Sequence, residues 1–140
     1  MHVQNQFFTE LVEKGPFVYI LVSADGRLKY VSPNAKVLFG YTSDEIFQMR
    51  HHSKIPVQDL RNIKKGIHEV VSSPGIIRAL NYQVQQKSGS HRWYEAVIVN
   101  MLDSIHANAI VIGNHEITNR IQQETTFRNA ATFLLKSFEI

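Results

Sequence analysis

Residues 32–41 read SPNAKVLFGY, and this stretch decides how the chain turns after an apolar strand. Ser32 belongs to the residue types that cap helix N-termini, and Pro33 suits the first helical position because its missing N–H has no helical partner there. Gly40 suits the left-handed position that ends a helix. The stretch predicts a helix of about two turns at most, capped by Ser32.

A second short helix is predicted directly after the first. Residues 42–45 (TSDE) have the spacing of a capping box. In this motif the Thr42 hydroxyl accepts the backbone N–H of Glu45, and the Glu45 carboxylate accepts the backbone N–H of Thr42. Two short helices in tandem indicate a segment that wraps around another part of the fold. We call residues 32–49 the helical wrap.

Regular elements are predicted on both sides of the helical wrap. The N-terminal helix shows apolar residues at helical spacing, and the strands are bounded by Gly-, Pro-, Asn- or Ser-containing turns. The predicted elements are a helix over residues 3–14, strands over 17–23 and 28–31, a helix from 56 to 72, strands over 76–86, 91–102 and 109–117, and a helix over 118–137.

The strands predict an α+β fold with one five-stranded antiparallel sheet, because short hairpin-like connections join successive strands. In residues 91–102 both alternating sets of side chains are largely apolar, so both faces of the sheet need cover. The helical wrap can cover one face. The terminal helices or a second subunit must cover the other.

Composition excludes several classes of site and partner. The chain has 140 residues and no cysteine, which excludes disulfides, thiolate metal sites and cysteinyl adducts. Its longest apolar run, residues 17–22, is too short to cross a bilayer. The formal charge is +3, but the basic residues are scattered among acids. A soluble, cytoplasmic protein without membrane insertion or a nucleic-acid partner is expected.

Motifs for catalysis and metal binding are missing from the sequence. No nucleophile with a neighbouring base, no paired carboxylates and no phosphate-binding glycine loop can be identified, so the chain is predicted not to be an enzyme. The histidines form no i, i+4 pair on one predicted helix, and no metal site is expected.

The chain resembles the PAS (sensory box) family over nearly all of residues 6–121. The resemblance rests on the order and spacing of residues 25–35, 38–46, 55–60, 82–95 and 116–120. It implies a five-stranded antiparallel sheet with helices cupped over one face and a cavity between them. It also implies that Asn34 ties the rim of the cup together through side-chain hydrogen bonds. The organisation expected is an N-terminal helix over 1–15, a PAS domain over 16–117 and a linker helix over 118–140.

The cavity implied by the resemblance is predicted to bind a small ligand through residues on the cupped face. The candidate ligand-binding residues are Tyr82, Tyr94, Ala96, Ile98, Asn100 and Asn114. Buried phenols and amides need hydrogen-bond partners. Two alternatives are open: these polar groups satisfy one another or a trapped water, or they bind a small organic molecule.

The cofactor stays unassigned, with flavin and haem both disfavoured. Flavin photosensors of the family need a cysteine, and they carry an amide where this chain has Tyr94, although Asn114 matches a flavin-contacting amide. Haem-binding members use a histidine on the longest helix. His68 lies nearer the end of that helix, between Lys64 and Ser72, and is predicted to be solvent-flanked.

The sheet face opposite the cup carries the predicted interface. Trp93 shares that face with Val97 and Val99, and an indole beside apolar residues gains free energy when it is buried. We expect the N-terminal helix to pack there through Phe7, Phe8 and Leu11, alone or with its counterpart in a homodimer.

The end of the last strand is where the family passes a signal to an output domain. Thr118 is a competent N-cap for the helix that follows. The chain is therefore expected to be an input module of the kind found in bacterial sensor histidine kinases and GGDEF diguanylate cyclases, excised from a longer protein. A ligand-free dimerisation or protein-interaction domain is the alternative.

Overall fold

The computed structural model describes residues 2–49 and 54–138. The elements in this part of the chain agree with the predicted ones to within two residues at each end. They are α1 (His2–Lys14), β1 (Phe17–Val22), β2 (Leu28–Val31), α2 (Ala35–Leu38), α3 (Ser43–Gln48), α4 (Val57–Ser72), β3 (Arg78–Gln85), β4 (His91–Met101), β5 (Ala109–Glu116) and α5 (Thr118–Ser137). None of these helices is long and apolar enough to span a membrane.

The strands form one five-stranded sheet in the order β2-β1-β5-β4-β3, and each neighbouring pair is antiparallel. The predicted α+β fold is confirmed. The strand that comes last in the chain, β5, lies at the centre between β1 and β4. Helix α5 therefore begins beside the middle strands of the sheet.

Alternation along the strands directs one set of side chains toward the helices. Val18, Ile98 and Ile110 belong to this set and are fully buried. Helix α4 packs closely on the same face at Gly66, where an added Cβ would lie 2.8 Å from Ile98 Cδ1. The absence of a side chain at this position lets the longest helix of the cup approach β4.

The predicted capping role of Ser32 is corrected by the structure. Helix α2 begins at Ala35, its N-cap position is Asn34 without a side-chain cap, and Pro33 lies in the preceding turn. Ser32 Oγ instead accepts a hydrogen bond from the backbone N–H of Tyr19 at 2.9 Å. The hydroxyl thus gives a backbone N–H of β1 its hydrogen-bond acceptor. A local capping pattern cannot reveal a partner on a distant strand.

Asn34 ties the rim as the family resemblance implied. Its Nδ2 donates to the carbonyl oxygens of Gly15 at 3.1 Å and Phe17 at 2.7 Å, and its Oδ1 accepts from the Ser32 hydroxyl at 2.6 Å. The buried amide therefore joins the helical wrap to the point where the chain leaves α1 and enters β1.

The predicted roles of Gly40 and of the capping box formed by Thr42 and Glu45 are confirmed. Gly40 has a φ of 80°, the left-handed conformation that glycine adopts without steric cost. The Thr42 hydroxyl accepts the Glu45 N–H at 3.1 Å, and the Glu45 carboxylate accepts the Thr42 N–H at 3.0 Å. Helix α3 therefore starts with the predicted capping box.

Candidate functional site

A cavity of about 180 Å³ lies between the helix-facing side of the sheet and the helices of the cup. Ile20, Ala96 and Ile112 form part of its sheet wall, and Leu60 and Ile67 of α4 form part of its helical wall. An apolar cavity of about 150 Å³ is already large enough to hold benzene. The cavity can therefore accommodate a small organic molecule.

The predicted site residues Tyr82, Ala96 and Asn114 line the cavity. They come from three adjacent strands: Tyr82 from β3, Ala96 from β4 and Asn114 from β5. Since Ala96 carries only a methyl group, it leaves open space between the larger side chains of Tyr82 and Asn114. Contact of these residues with a ligand stays a prediction.

Tyr94 lies on the expected face but does not line the cavity. Its ring packs edge-on against Phe39 with 4.7 Å between ring centroids. Its hydroxyl donates to the carbonyl oxygen of Leu38 at 2.7 Å. The phenol thus supports α2 and belongs to the core.

The structure also places Ile98 and Asn100 outside the cavity wall. Ile98 is fully buried beneath Gly66 of α4. Asn100 Nδ2 donates to the Val70 carbonyl at 2.9 Å, and its Oδ1 accepts from the N–H of Leu102 at 2.9 Å. Ile98 therefore packs against the middle of α4, and Asn100 bonds to its last turn.

The polar groups of the sheet wall satisfy one another. Tyr82 Oη donates to Asn114 Oδ1 at 2.6 Å, and Asn114 Nδ2 donates to the carbonyls of Val18 at 3.0 Å and Ile112 at 3.1 Å. Burial raises the pKa of the Tyr82 phenol well above its ordinary value of 10.0, so the hydroxyl stays a neutral donor. Of the two alternatives in the sequence, the structure favours internal satisfaction for these residues.

Two lysines, Lys54 and Lys64, also line the cavity and were not predicted from the sequence. Lys54 is half-buried and Lys64 is more exposed. One signal for Lys64 was available: it follows Leu60 by four residues and precedes Ile67 by three, so helical periodicity puts it on the apolar face. Lys54 precedes α4 in a segment without periodicity, and the sequence offers no comparable signal for it.

His68, the residue considered as a haem ligand, is exposed on α4 and does not line the cavity. Within residues 2–49 and 54–138, no group of three His, Asp or Glu side chains is placed to hold a metal ion.

The predicted interface residues lie on two elements, β4 and α1. Trp93, Val97 and Val99 are half-buried. Phe7 is 66% exposed and Leu11 is 39% exposed, whereas Val12 is buried. The side chain of Phe8 lies outside the described part of the chain. The apolar side chains of α1 are therefore only partly covered within one chain.

The backbone of Trp93 holds the start of α5. Its N–H donates to Thr118 Oγ1 at 2.9 Å, and its carbonyl accepts the N–H of Ile117 at 2.8 Å. Thr118 is the first residue of α5, with Ile117 at the N-cap position, so the expected N-cap role of Thr118 is corrected. Its hydroxyl links the helix to β4.

Beyond this junction, α5 leaves apolar side chains uncovered. An ion pair between Arg120 and Glu95 of 3.7 Å connects its first turn to β4. No residue of α5 is buried. The large exposed apolar side chains are Phe127, Phe133, Leu134 and Leu135 of α5 and Phe138 at its C-cap, each more than half exposed.

Comparison with protein families matches residues 28–115 to the PAS fold. This segment contains the whole helical wrap and helix α4. It also contains strands β2 to β5, except for the last residue of β5. Comparison with curated proteins returned no match.

Solved structures share the fold at low sequence identity. A sensory box histidine kinase/response regulator from Burkholderia thailandensis is 19% identical, with a TM-score of 0.65, over 92% of this chain and 98% of that one. A sensory box sensor histidine kinase/response regulator domain from Geobacter sulfurreducens is 18% identical, with a TM-score of 0.61, over 81% and 94%. A PAS domain from Colwellia psychrerythraea is 15% identical, with a TM-score of 0.64, over 84% and 98%.

Proposed function

This chain belongs to the PAS family, and on that premise we propose that it is a sensory input module that binds a small organic ligand. Binding in the cavity shifts the population of conformations at the sheet, and α5 transmits the shift to an attached output domain. The module itself performs no catalysis in this proposal.

The observation that carries the proposal is the apolar cavity built on the central strands. Its wall residue Ala96 lies on β4, three residues after Trp93, whose backbone groups hold the start of α5. Its wall residue Asn114 lies on β5, which leads directly into the same helix. A ligand that repacks this wall acts on both strands that position α5.

The proposed output is a histidine kinase, with a GGDEF diguanylate cyclase as the second choice. Support comes from the similarity to sensory box domains of histidine kinases from Burkholderia thailandensis and Geobacter sulfurreducens. The exposed apolar residues of α5 suit a helix that continues into, or packs against, another segment.

We also propose that the module works as a cytoplasmic homodimer. Phe7 and Leu11 of α1, together with Trp93, Val97 and Val99 of the outer face, would form the contact. Support comes from the exposure of Phe7 and from the half-buried state of the outer-face residues within one chain. The same exposed apolar residues favour the second candidate function, a ligand-free dimerisation or interaction domain.

Ligand binding is tested by thermal denaturation of the purified chain against a panel of small metabolites, followed by native mass spectrometry of the stabilising compounds. A ligand at ten times its Kd should raise Tm by about 4 °C. Ala96→Leu, which fills the cavity floor, should abolish that rise. If no compound stabilises the wild type while sedimentation finds a dimer, the ligand-free interaction domain replaces the sensory proposal.

A further inference from the structure

We infer that the cavity selects a small organic anion, a monocarboxylate with one ring or a short aliphatic chain. The inference rests on the proposed function and adds the charge and size of the ligand. It follows from the cationic side chains of the wall, from the satisfied state of its neutral polar groups and from the cavity volume.

Among the described residues, the charged side chains that line the cavity are both basic. Lys54 and Lys64 line the cavity, and no aspartate or glutamate among the described residues does. Neither ammonium group forms an ion pair with a carboxylate in residues 2–49 and 54–138. Lys54 is also half-buried, so part of its hydration is lost. A carboxylate at the cavity would give both cations a partner.

Two carboxylates on neighbouring elements are engaged elsewhere. Glu45 of α3 pairs with Lys87 at 3.0 Å and accepts the N–H of Thr42. Asp59 of α4 accepts the backbone N–H of Gln83 at 2.9 Å. These contacts hold the two acids in structural roles and leave the positive charge at the cavity uncompensated by them.

The hydrogen-bond donors of the neutral polar groups in the wall are already in use. Tyr82 and Asn114 are bonded to each other, and the Tyr41 hydroxyl donates to the Gln85 carbonyl at 2.6 Å. A neutral ligand that needs a hydrogen-bond donor from these groups would have to break an existing hydrogen bond. Charge attraction to the lysines requires no such exchange.

The cavity volume sets the size of the ligand. About 180 Å³ exceeds the roughly 150 Å³ of a benzene-binding cavity, but it is below the roughly 300 Å³ at which pockets for drug-sized ligands begin. One ring or a short chain fits inside this volume, with the carboxylate directed to the lysines. Benzoate and hexanoate are the two probes of this description.

The test compares each anion with its neutral amide by isothermal titration calorimetry: benzoate with benzamide, and hexanoate with hexanamide. In the wild type each anion should bind about tenfold more tightly than its amide. Lys54→Met combined with Lys64→Met should bring the anion and the amide to within about twofold of each other. Added salt should weaken anion binding and leave amide binding unchanged.

Two control variants accompany the titrations. Lys65→Met removes the same charge from the neighbouring position of α4, which does not line the cavity, and should retain the preference for the anion. Ala96→Leu should abolish binding of both anions if they occupy the cavity. Circular dichroism of each variant verifies that it is folded.

Three results overturn the inference. The first is equal affinity for anion and amide in the wild type. The second is an unchanged preference for the anion in the double lysine variant. In either case the cavity still binds a ligand, and the proposed function survives. The third is absence of binding by both anions. If neutral compounds of the metabolite panel also fail to bind, the proposed function fails with it.

Discussion

The phenol of Tyr82 donates a hydrogen bond to Oδ1 of Asn114 at 2.6 Å, across the strand that separates their two strands. In the register of the sheet, Tyr82 pairs with Tyr94, and Asn114 pairs with Ala96. The small side chain of Ala96 leaves room for the bond to pass over β4. One hydrogen bond therefore connects β3 to β5 and forms part of the cavity wall.

Tyr82→Phe should destabilise the protein by about 1–3 kcal/mol, because Asn114 Oδ1 then loses its donor in a buried site. Urea unfolding at neutral pH measures the change. Tyr30→Phe is the matched control, since Tyr30 is 39% exposed, and it should change the free energy of unfolding by less than about 0.5 kcal/mol. Equal effects of the two variants would contradict the structural role of the bond.

Tyr94 should make the protein less stable at alkaline pH. Burial, with a smaller effect of the Glu116 carboxylate, raises the pKa of Tyr94 to about 12. Above about pH 10 the unfolded chain releases this proton while the folded chain retains it, so stability decreases up to about pH 12. The slope is about 1.4 kcal/mol per pH unit for one tyrosine.

Urea unfolding at intervals from pH 9 upward tests this expectation. Tyr94→Phe should decrease in stability less steeply than the wild type over that window, while Tyr30→Phe should follow the wild type. Parallel curves for the wild type and Tyr94→Phe would contradict the assignment.

The elements of the fold were predictable because each one leaves a local signal. Alternation marks β4, the box formed by Thr42 and Glu45 marks α3, and Gly40 marks the end of the first short helix. Ser32 misled the interpretation because its hydroxyl has a partner on β1, in Tyr19. A capping residue type can serve a distant strand equally well, and only tertiary structure distinguishes the two uses.

The cavity wall was only half predictable. Alternation assigns Tyr94, Ala96 and Ile98 to one face, but it does not say where helices touch that face. Phe39 packs on Tyr94, and α4 packs on Ile98 at Gly66, so Ala96 alone faces the space between them. Whether a helix packs on a given residue of the strand depends on where the helices lie. The alternation of the strand gives only the face on which the residue lies.

Asn34→Asp should destabilise the fold by more than about 2 kcal/mol at pH 7, because a carboxylate cannot donate to the carbonyls of Gly15 and Phe17. Part of the loss should be recovered at low pH, where the protonated acid regains one donor. Denaturation at pH 7 and pH 4 measures both effects. Asn81→Asp on the exposed side of β3 is the control, and recovery by both variants alike would contradict the assignment.

Thr118→Val should loosen the start of α5 while keeping the shape of the side chain. The Trp93 N–H loses its acceptor, so its hydrogen exchange should accelerate by about tenfold, and stability should decrease by about 1 kcal/mol. Amide exchange followed by NMR gives the first quantity. Thr125→Val, on the exposed surface of α5, should leave the Trp93 exchange rate unchanged; an equal effect there would refute the link.

Gly66→Ala should destabilise the protein by about 1–3 kcal/mol even though alanine is the better helix former, because its Cβ would lie 2.8 Å from Ile98 Cδ1. Ile98→Val removes that methyl group and alone should cost about 0.5–1.5 kcal/mol. The double variant should be more stable than the sum of the two changes predicts, by about 1 kcal/mol or more.

The double-mutant cycle is measured by urea unfolding, with Gly66→Ala combined with Ile117→Val as the control pair. Ile117 is buried at the start of α5 and is not among the neighbours of the added Cβ, so this pair should be additive to within about 0.5 kcal/mol. Additivity in both cycles would mean that α4 does not approach β4 as closely as the structure has it. The cavity volume depends on that approach, because α4 also supplies Leu60, Ile63 and Ile67 to the wall.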